Sequence, residues 1–206
     1  IQVSEEERSR RNFNPYLSRF LTLYSQNRAD NSSTRGYDDI SRATYVRTRL
    51  DKRLCPDIEA GKFHLVIITG NAGDGKTALV QSLEEGVEKG FEHQRTAHVV
   101  RLPTGNGATF MLSGREYRTN YDGSQDETGF QNDEALTDFF APFAGTAGDV
   151  AGRLGKFTRL IAINEGRLRD FLARRKERFP WLADAVENYL EDGRALPEGY
   201  VVVNLN

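Results

Sequence analysis

Phe63-His64-Leu65-Val66-Ile67-Ile68-Thr69-Gly70-Asn71-Ala72-Gly73-Asp74-Gly75-Lys76-Thr77 is the stretch whose reading decides the fold. Its first seven residues form a β-branched apolar run, the pattern of a strand buried on both faces of a parallel sheet. Its last eight fit G-x-x-x-x-G-K-[ST], a glycine-rich turn that aims backbone N–H groups at a polyphosphate. Beyond it, Leu79, Leu83 and Val87 fall on one face of a helix. Strand, glycine turn and helix in this order are the context the pattern needs. The competing explanation, a chance match, does not account for both flanks.

The chemistry assigns roles residue by residue. Gly70, Asn71, Ala72, Gly73, Asp74, Gly75, Lys76, Thr77 and Ala78 are the expected phosphate-binding residues, and Lys76 reaches the β- and γ-phosphates. Thr77 places its hydroxyl on the Mg²⁺ that bridges them. Hydrolysis also needs a carboxylate near the attacking water. Leu160-Ile161-Ala162-Ile163-Asn164-Glu165 has the layout of a Walker B strand with Asn in place of the usual Asp. In that reading Asn164 fixes a metal-bound water and Glu165 polarises the attacking water. A neutral Asn holds Mg²⁺ more weakly than a carboxylate, so a slow nucleotide switch stays open beside an ATPase. The bland alternative is a core strand ending in an Asn-Glu turn.

A further strand, Val201-Val202-Val203-Asn204, also ends in an amide. In additional-strand P-loop ATPases, a polar residue at the tip of the strand between those of Walker A and Walker B senses the γ-phosphate. Asn204, in preference to Asn206, is expected at that position. The helix from Gly166 to Arg178 turns Leu168, Phe171, Leu172 and Arg175 to one side and most of its cations outward. Those cations fit a solvated face, a contact to nucleic-acid phosphates, or an arginine finger for a second copy.

The rest of the chain sets bounds. Its 206 residues suffice for one α/β domain with an appended segment. With 28 basic and 30 acidic side chains and a sequence pI near 6.0, no global field for nucleic acid exists. The lone Cys55 rules out an internal disulfide and fits a reducing cytosol, with a small buried hydrophobe as its expected role. His64, His93 and His98 lack metal-ligand spacing, and no apolar run reaches membrane-spanning length. The chain begins at Ile1, which reads as a piece of a larger protein with any lid downstream of it.

Residues 1–52 read as a helical segment, with one helix opened by Asn14-Pro15 and another over 38–52 that stops before Cys55-Pro56. Residues 53–206 read as a nucleotide-binding core whose strands, near 65–69, 97–102, 159–164 and 200–204, alternate with helices. That alternation predicts a parallel sheet. The stretch from about 103 to 156 reads as an insertion carrying a hairpin around Ser113-Gly114 and a helix over 133–143. Its polar loop, Asn120 to Glu127, carries carboxylates that could approach a second metal, but it fails the calcium-loop pattern and reads as an exposed insertion loop.

Taken together, Asn14-Pro15-Tyr16-Leu17, the phosphate loop, Asp122-Gly123-Ser124-Gln125-Asp126 and Ile161-Ala162-Ile163-Asn164-Glu165-Gly166-Arg167-Leu168 resemble the P-loop ATPase modules of bacterial phage-defence proteins. The similarity is to the ATPase region of the phage-growth-limitation (BREX-type) serine/threonine kinase and, more distantly, to the ATPase of phosphorothioation-dependent restriction. It implies a three-layered, AAA/STAND-like core, ATP rather than GTP as ligand, and a cytoplasmic multidomain protein whose ATP cycle controls an antiviral effector. The implied partners are ATP or ADP, other domains of the polypeptide, a homo-oligomer and DNA, with no membrane. The chain carries no H-R-D or D-F-G set, so kinase chemistry is not expected within it.

Overall fold

The computed structural model describes residues 46, 48–71, 73–90, 97–124 and 132–205. The helix expected after Asn14, most of the helix expected over 38–52, Ala72 and Asn206 lie outside them. Contact clustering separates residues 1–45 from 46–206, and the second unit is the one described.

The chain enters through helix α1 (Arg49–Glu59), opened by a reciprocal capping box in which Thr48 and Asp51 each satisfy the other's backbone N–H. This helix does not stop before Cys55-Pro56 but runs through both, and it crosses residues 52 and 53, where the domain boundary was read. Cys55 is half-buried against the core. Strand β1 (Leu65–Thr69) follows, with all five residues buried, and then helix α2 (Lys76–Lys89). Burying a Val or Ile side chain contributes roughly 1.5–3 kcal/mol, so β1 is the anchor of the sheet.

Strands β2 (Val100–Arg101), β3 (Ala108–Leu112) and β4 (Arg115–Asn120) come next, then α3 (Asn132–Phe139), a 3₁₀ turn at Ala141–Phe143 and α4 (Ala147–Arg153). The chain closes with β5 (Phe157–Ala162), α5 (Glu165–Arg174), α6 (Pro180–Asp192) and β6 (Tyr200–Asn204). The strand order is β2-β3-β4-β5-β1-β6. β4, β5, β1 and β6 are parallel, while β3 is antiparallel to both its neighbours. The sheet is therefore mixed rather than wholly parallel. The cause is the two-residue turn Ser113-Gly114, with both residues at positive φ, which pairs β3 with β4 directly. The hairpin read as part of an insertion supplies a central strand, β4, which pairs with β5.

Helices cover both faces. Val66, Ile68, Phe110, Tyr117 and Leu160 pack under α1 and α2. Leu65, Ile67, Ile161 and Val202 pack under α3, α4, α5 and α6. On the second face Phe140 stacks on Phe171 with centroids 5.7 Å apart, and Phe179 lies 5.8 Å from Phe171. These rings fix α5, and with it the Asn164-Glu165 corner that opens it.

The loop between β2 and β3 docks closely on β4. Gly107 has φ 156°, and a Cβ there would collide with the Thr119 carbonyl. Gly107→Ala is therefore expected to lower unfolding free energy by about 2 kcal/mol or more in urea denaturation. A change below about 0.5 kcal/mol would show that the loop does not dock this way.

Candidate nucleotide site

All four parallel strands end at one edge of the sheet, the edge where open α/β sheets bind ligands. The register places the residues there in rows. Asn120 is level with Ile161, Ile68 with Ala162, and Thr69 with Asn204. Continuing it, Asp122, Ile163, Thr69 and Asn204 share one row, and Gly123, Asn164, Gly70 and Leu205 the next. Gly123 N to Ala162 O (2.8 Å), Ile163 N to Ile68 O (3.0 Å) and Leu205 N to Thr69 O (2.9 Å) carry the pairing past the strand ends.

The loop from Gly70 to Thr77 follows β1 directly. Gly73 (φ 92°) and Gly75 (φ 83°) hold left-handed conformations, and nothing lies within 4 Å of where a Cβ would stand on either. That is the open cradle a polyphosphate needs. Gly75 is also the N-cap of α2 and supplies no side-chain cap to its first-turn amides. Asp74 accepts the Asn71 N–H and so closes the loop on itself.

The Lys76 ammonium donates to the carbonyls of Gly70 (2.9 Å) and Asn71 (2.6 Å). It thus arches over the loop with two of three donors used. The Thr77 hydroxyl donates to the carbonyl of Tyr121 at 2.9 Å. This bond ties the start of α2 to the tip of β4, one residue before Asp122. Ala78, the last expected loop residue, is half-buried in the first turn of α2.

The strand order redistributes the roles read from the sequence. β6 is the edge strand on the far side of β1, so Asn204 does not lie between the phosphate-loop strand and a Walker B strand. β5 directly neighbours β1, so no strand intervenes to carry a sensor if β5 is Walker B. With β4 in the Walker B position, the intervening strand is β5, and its polar tip is Asn164. Asn164 is exposed and caps α5, its Oδ1 accepting Arg167 N at 3.3 Å. Glu165 sits in the first turn of α5, paired with Arg169 (3.2 Å), which also reaches Glu191 (3.4 Å). Its carboxylate is engaged along the helix surface.

In the sequence Asp122 reads as one carboxylate of an exposed polar loop rather than as a strand tip, because its strand, Arg115-Glu116-Tyr117-Arg118-Thr119-Asn120, lacks an apolar run. The signal available was period two: Tyr117, Thr119 and Tyr121 alternate onto the α2 side. Asp122 is half-buried, and its Oδ1 accepts Ser124 N at 2.9 Å.

A hard divalent cation fits this chemistry. Thr77 and Asp122 supply oxygen donors, and Mg²⁺ is commonly held by one or two protein oxygens plus phosphates and waters. Among the described residues no group of three or more His, Cys, Asp or Glu is placed to hold a metal. A site completed by phosphate oxygens does not require one.

The cations of α5 and the turn after it are largely paired. Arg167 and Arg174 both bind Asp133 (2.5 and 3.3 Å), and Lys176 binds Asp184 (2.8 Å). Among the described residues no helix is long and apolar enough to cross a membrane. Compared with known proteins, the chain matches no family model, no curated protein and no solved structure.

Beneath the site, α2 and β4 share a buried polar hub. Glu84 is fully buried and accepts from the hydroxyls of Thr119 (2.6 Å) and Tyr121 (2.7 Å), with Arg101 as its ion-pair partner. Burial pushes the Glu84 carboxyl above its ordinary 4.5, outweighing the Thr119 hydroxyl and Arg101, which act to lower it. The Glu84 carboxyl therefore holds its proton more tightly in the folded protein than in the unfolded chain. Its contribution to stability is complete below pH 4.5 and is lost as pH rises through the raised folded value. Melting curves of Glu84→Gln against the parent should therefore favour the variant increasingly as pH rises above 4.5, until the raised folded value is passed. A constant difference across that range would mean that the carboxyl titrates normally.

Proposed function

We infer that this chain binds ATP with Mg²⁺ through residues 70–78 and hydrolyses it as the ATPase module of a larger protein. The observation that carries the reading is the double tether of the loop: Lys76 folded over the Gly70 and Asn71 carbonyls, and Thr77 bonded to the β4 tip beside Asp122. A glycine turn in this conformation, opening an uncapped helix, is built for phosphate oxygens.

In this reading the amides of residues 73–77 and the third Lys76 donor hold the β- and γ-phosphates. Thr77 and Asp122 are the metal-side ligands. Bound Mg²⁺ supplies charge neutralisation on the transferred phosphoryl group. Asn164, its Oδ1 committed to capping α5, turns its Nδ2 donors to the γ-phosphate. Glu165, paired with Arg169, is left out of the water-orienting role, which then falls to a partner chain that completes the site, and Asn204 is left out of the sensor role.

That pairing also supports a second reading, a nucleotide switch with slow turnover. The DNA-dependent motor is the weaker reading, because Arg167 and Arg174 share Asp133, Arg169 pairs with Glu165 and Lys176 with Asp184, which lowers the positive field along this stretch. ATP as the base, a cytoplasmic setting and a role in phage defence rest on the family resemblance of the motifs. DNA that accelerates turnover in a manner lost on Arg174→Glu would restore the motor reading.

Titration calorimetry should show MgATP and ADP binding that Lys76→Ala weakens at least about 100-fold, the loss of a charge-assisted phosphate contact. Binding by Lys76→Ala equal to the parent would refute the loop as the site. In steady-state phosphate release, Asp122→Asn should lose at least about 100-fold in turnover, while Glu165→Gln stays within about threefold of the parent. The reverse order of effects would return the acid to β5.

A further inference from the structure

Asp122 owes its place to one buried side chain. Asn106, 4% exposed, sits at the end of the β2–β3 loop. Its Oδ1 accepts the Asp122 N–H at 3.0 Å, and its Nδ2 donates to the Asp122 carbonyl at 3.0 Å. The Asn106 carbonyl also accepts Tyr121 N at 3.2 Å. One primary amide therefore copies a strand neighbour, meeting both backbone groups of a residue that β3 no longer reaches. The Asp122 N–H is shared with Asn120 Oδ1 at 3.1 Å, which further limits its rotation.

The loop holding Asn106 is itself braced. Leu102 N bonds Gly107 O (2.9 Å), Gly105 N bonds Leu102 O (2.9 Å), and Asn106 N reaches Thr104 Oγ1 (3.3 Å). Gly107 is pressed against the Thr119 carbonyl. The Glu84 hub of α2 holds Thr119 and Tyr121. The strand tip is thus held by both α2 and the β2–β3 loop, and the Asn106 grip acts on the residue assigned to the metal.

We propose that Asn106 is a positioning residue for the divalent cation, setting Asp122 at the height of the Thr77 hydroxyl. Mg²⁺ demands near-ideal octahedral geometry with ligands at about 2.0–2.1 Å, so it tolerates little ligand displacement. Binding of the nucleotide alone depends on the loop, which Asn106 does not touch. The two effects separate: Asn106 governs how much Mg²⁺ is needed and leaves metal-free nucleotide affinity unchanged. The inference rests on Asp122 as a metal-side ligand.

The test is the free Mg²⁺ concentration that half-maximally tightens ATP binding, measured by calorimetry on the full chain and paired with the ATP affinity in EDTA. Asn106→Ala and Asn106→Asp, the latter keeping an acceptor for Asp122 N–H but placing an oxygen against its carbonyl, should raise that concentration at least about fivefold. Affinity in EDTA should stay within about twofold. Thr158→Val serves as the control: it removes a buried hydroxyl that donates to Phe63 O (2.6 Å) at the other end of the sheet. It should lower the melting temperature with no Mg²⁺ shift.

If Asn106→Ala does not fold, Asn106→Asp and Thr104→Ala carry the same comparison, Thr104→Ala with the smaller shift. A Mg²⁺ midpoint equal to the parent's in the folded Asn106 variants, while Asp122→Asn does shift it, overturns the role of Asn106 alone. No shift in Asp122→Asn would instead overturn the assignment of Asp122, and loss of all nucleotide binding in the parent would overturn the loop.

Discussion

The parallel pairing of β1 with β5 on one side and β6 on the other is the constraint from which the site follows. A strand with every residue buried and both edges hydrogen-bonded cannot slide, because a shift by one residue would reverse the facing of its side chains. The glycine loop leaves that strand at its last residue, so its height above the sheet is set by packing. The same pairing brings the tips of β4 and β5 to the loop, about 10 and about 5 Å away at the usual strand spacing.

Side-chain chemistry then refines what the sheet positions. Thr77 joins α2 to β4 across the sheet edge, Glu84 repeats that join one layer deeper, and Asn106 ties the β2–β3 loop to the tip of β4. Burying Glu84 is electrostatically unfavourable, as its raised proton affinity shows. Thr119, Tyr121 and Arg101 offset part of that cost, and an uncompensated charge there would be far worse. Polar groups thus concentrate along β4, the one central strand whose sequence is not apolar. On the other face, aromatic packing of Phe140, Phe171 and Phe179 holds α5, so Asn164 is placed by hydrophobic contacts.

Much of this was legible in the sequence for physical reasons. The bounds of β1 and β6 follow from their runs of Val and Ile, and the tight turn after β1 from Gly73 and Gly75, which take the left-handed conformation that glycine favours. The hairpin was legible at Ser113-Gly114, but its place in the sheet was not. Pairing partners depend on which edges are left open, and nothing in a local pattern states that β4 would lie against β5. That unread adjacency leaves Asn204 on the far side of β1 and puts Asn164 at the tip of the strand between β4 and β1. The Pro56 error has a similar origin: a proline interrupts one hydrogen bond, and the burial of Leu54 and Ile58 on either side keeps α1 continuous.

Whether β4 bears the metal is decided by a crystal structure with Mg²⁺ and a non-hydrolysable ATP analogue. The ion should lie about 2.1 Å from the Thr77 hydroxyl, on the Asp122 side of the phosphates, with Asn164 beside the γ-phosphate. An ion held from the Asn164-Glu165 corner, with nothing contributed by β4, would contradict a metal-bearing β4.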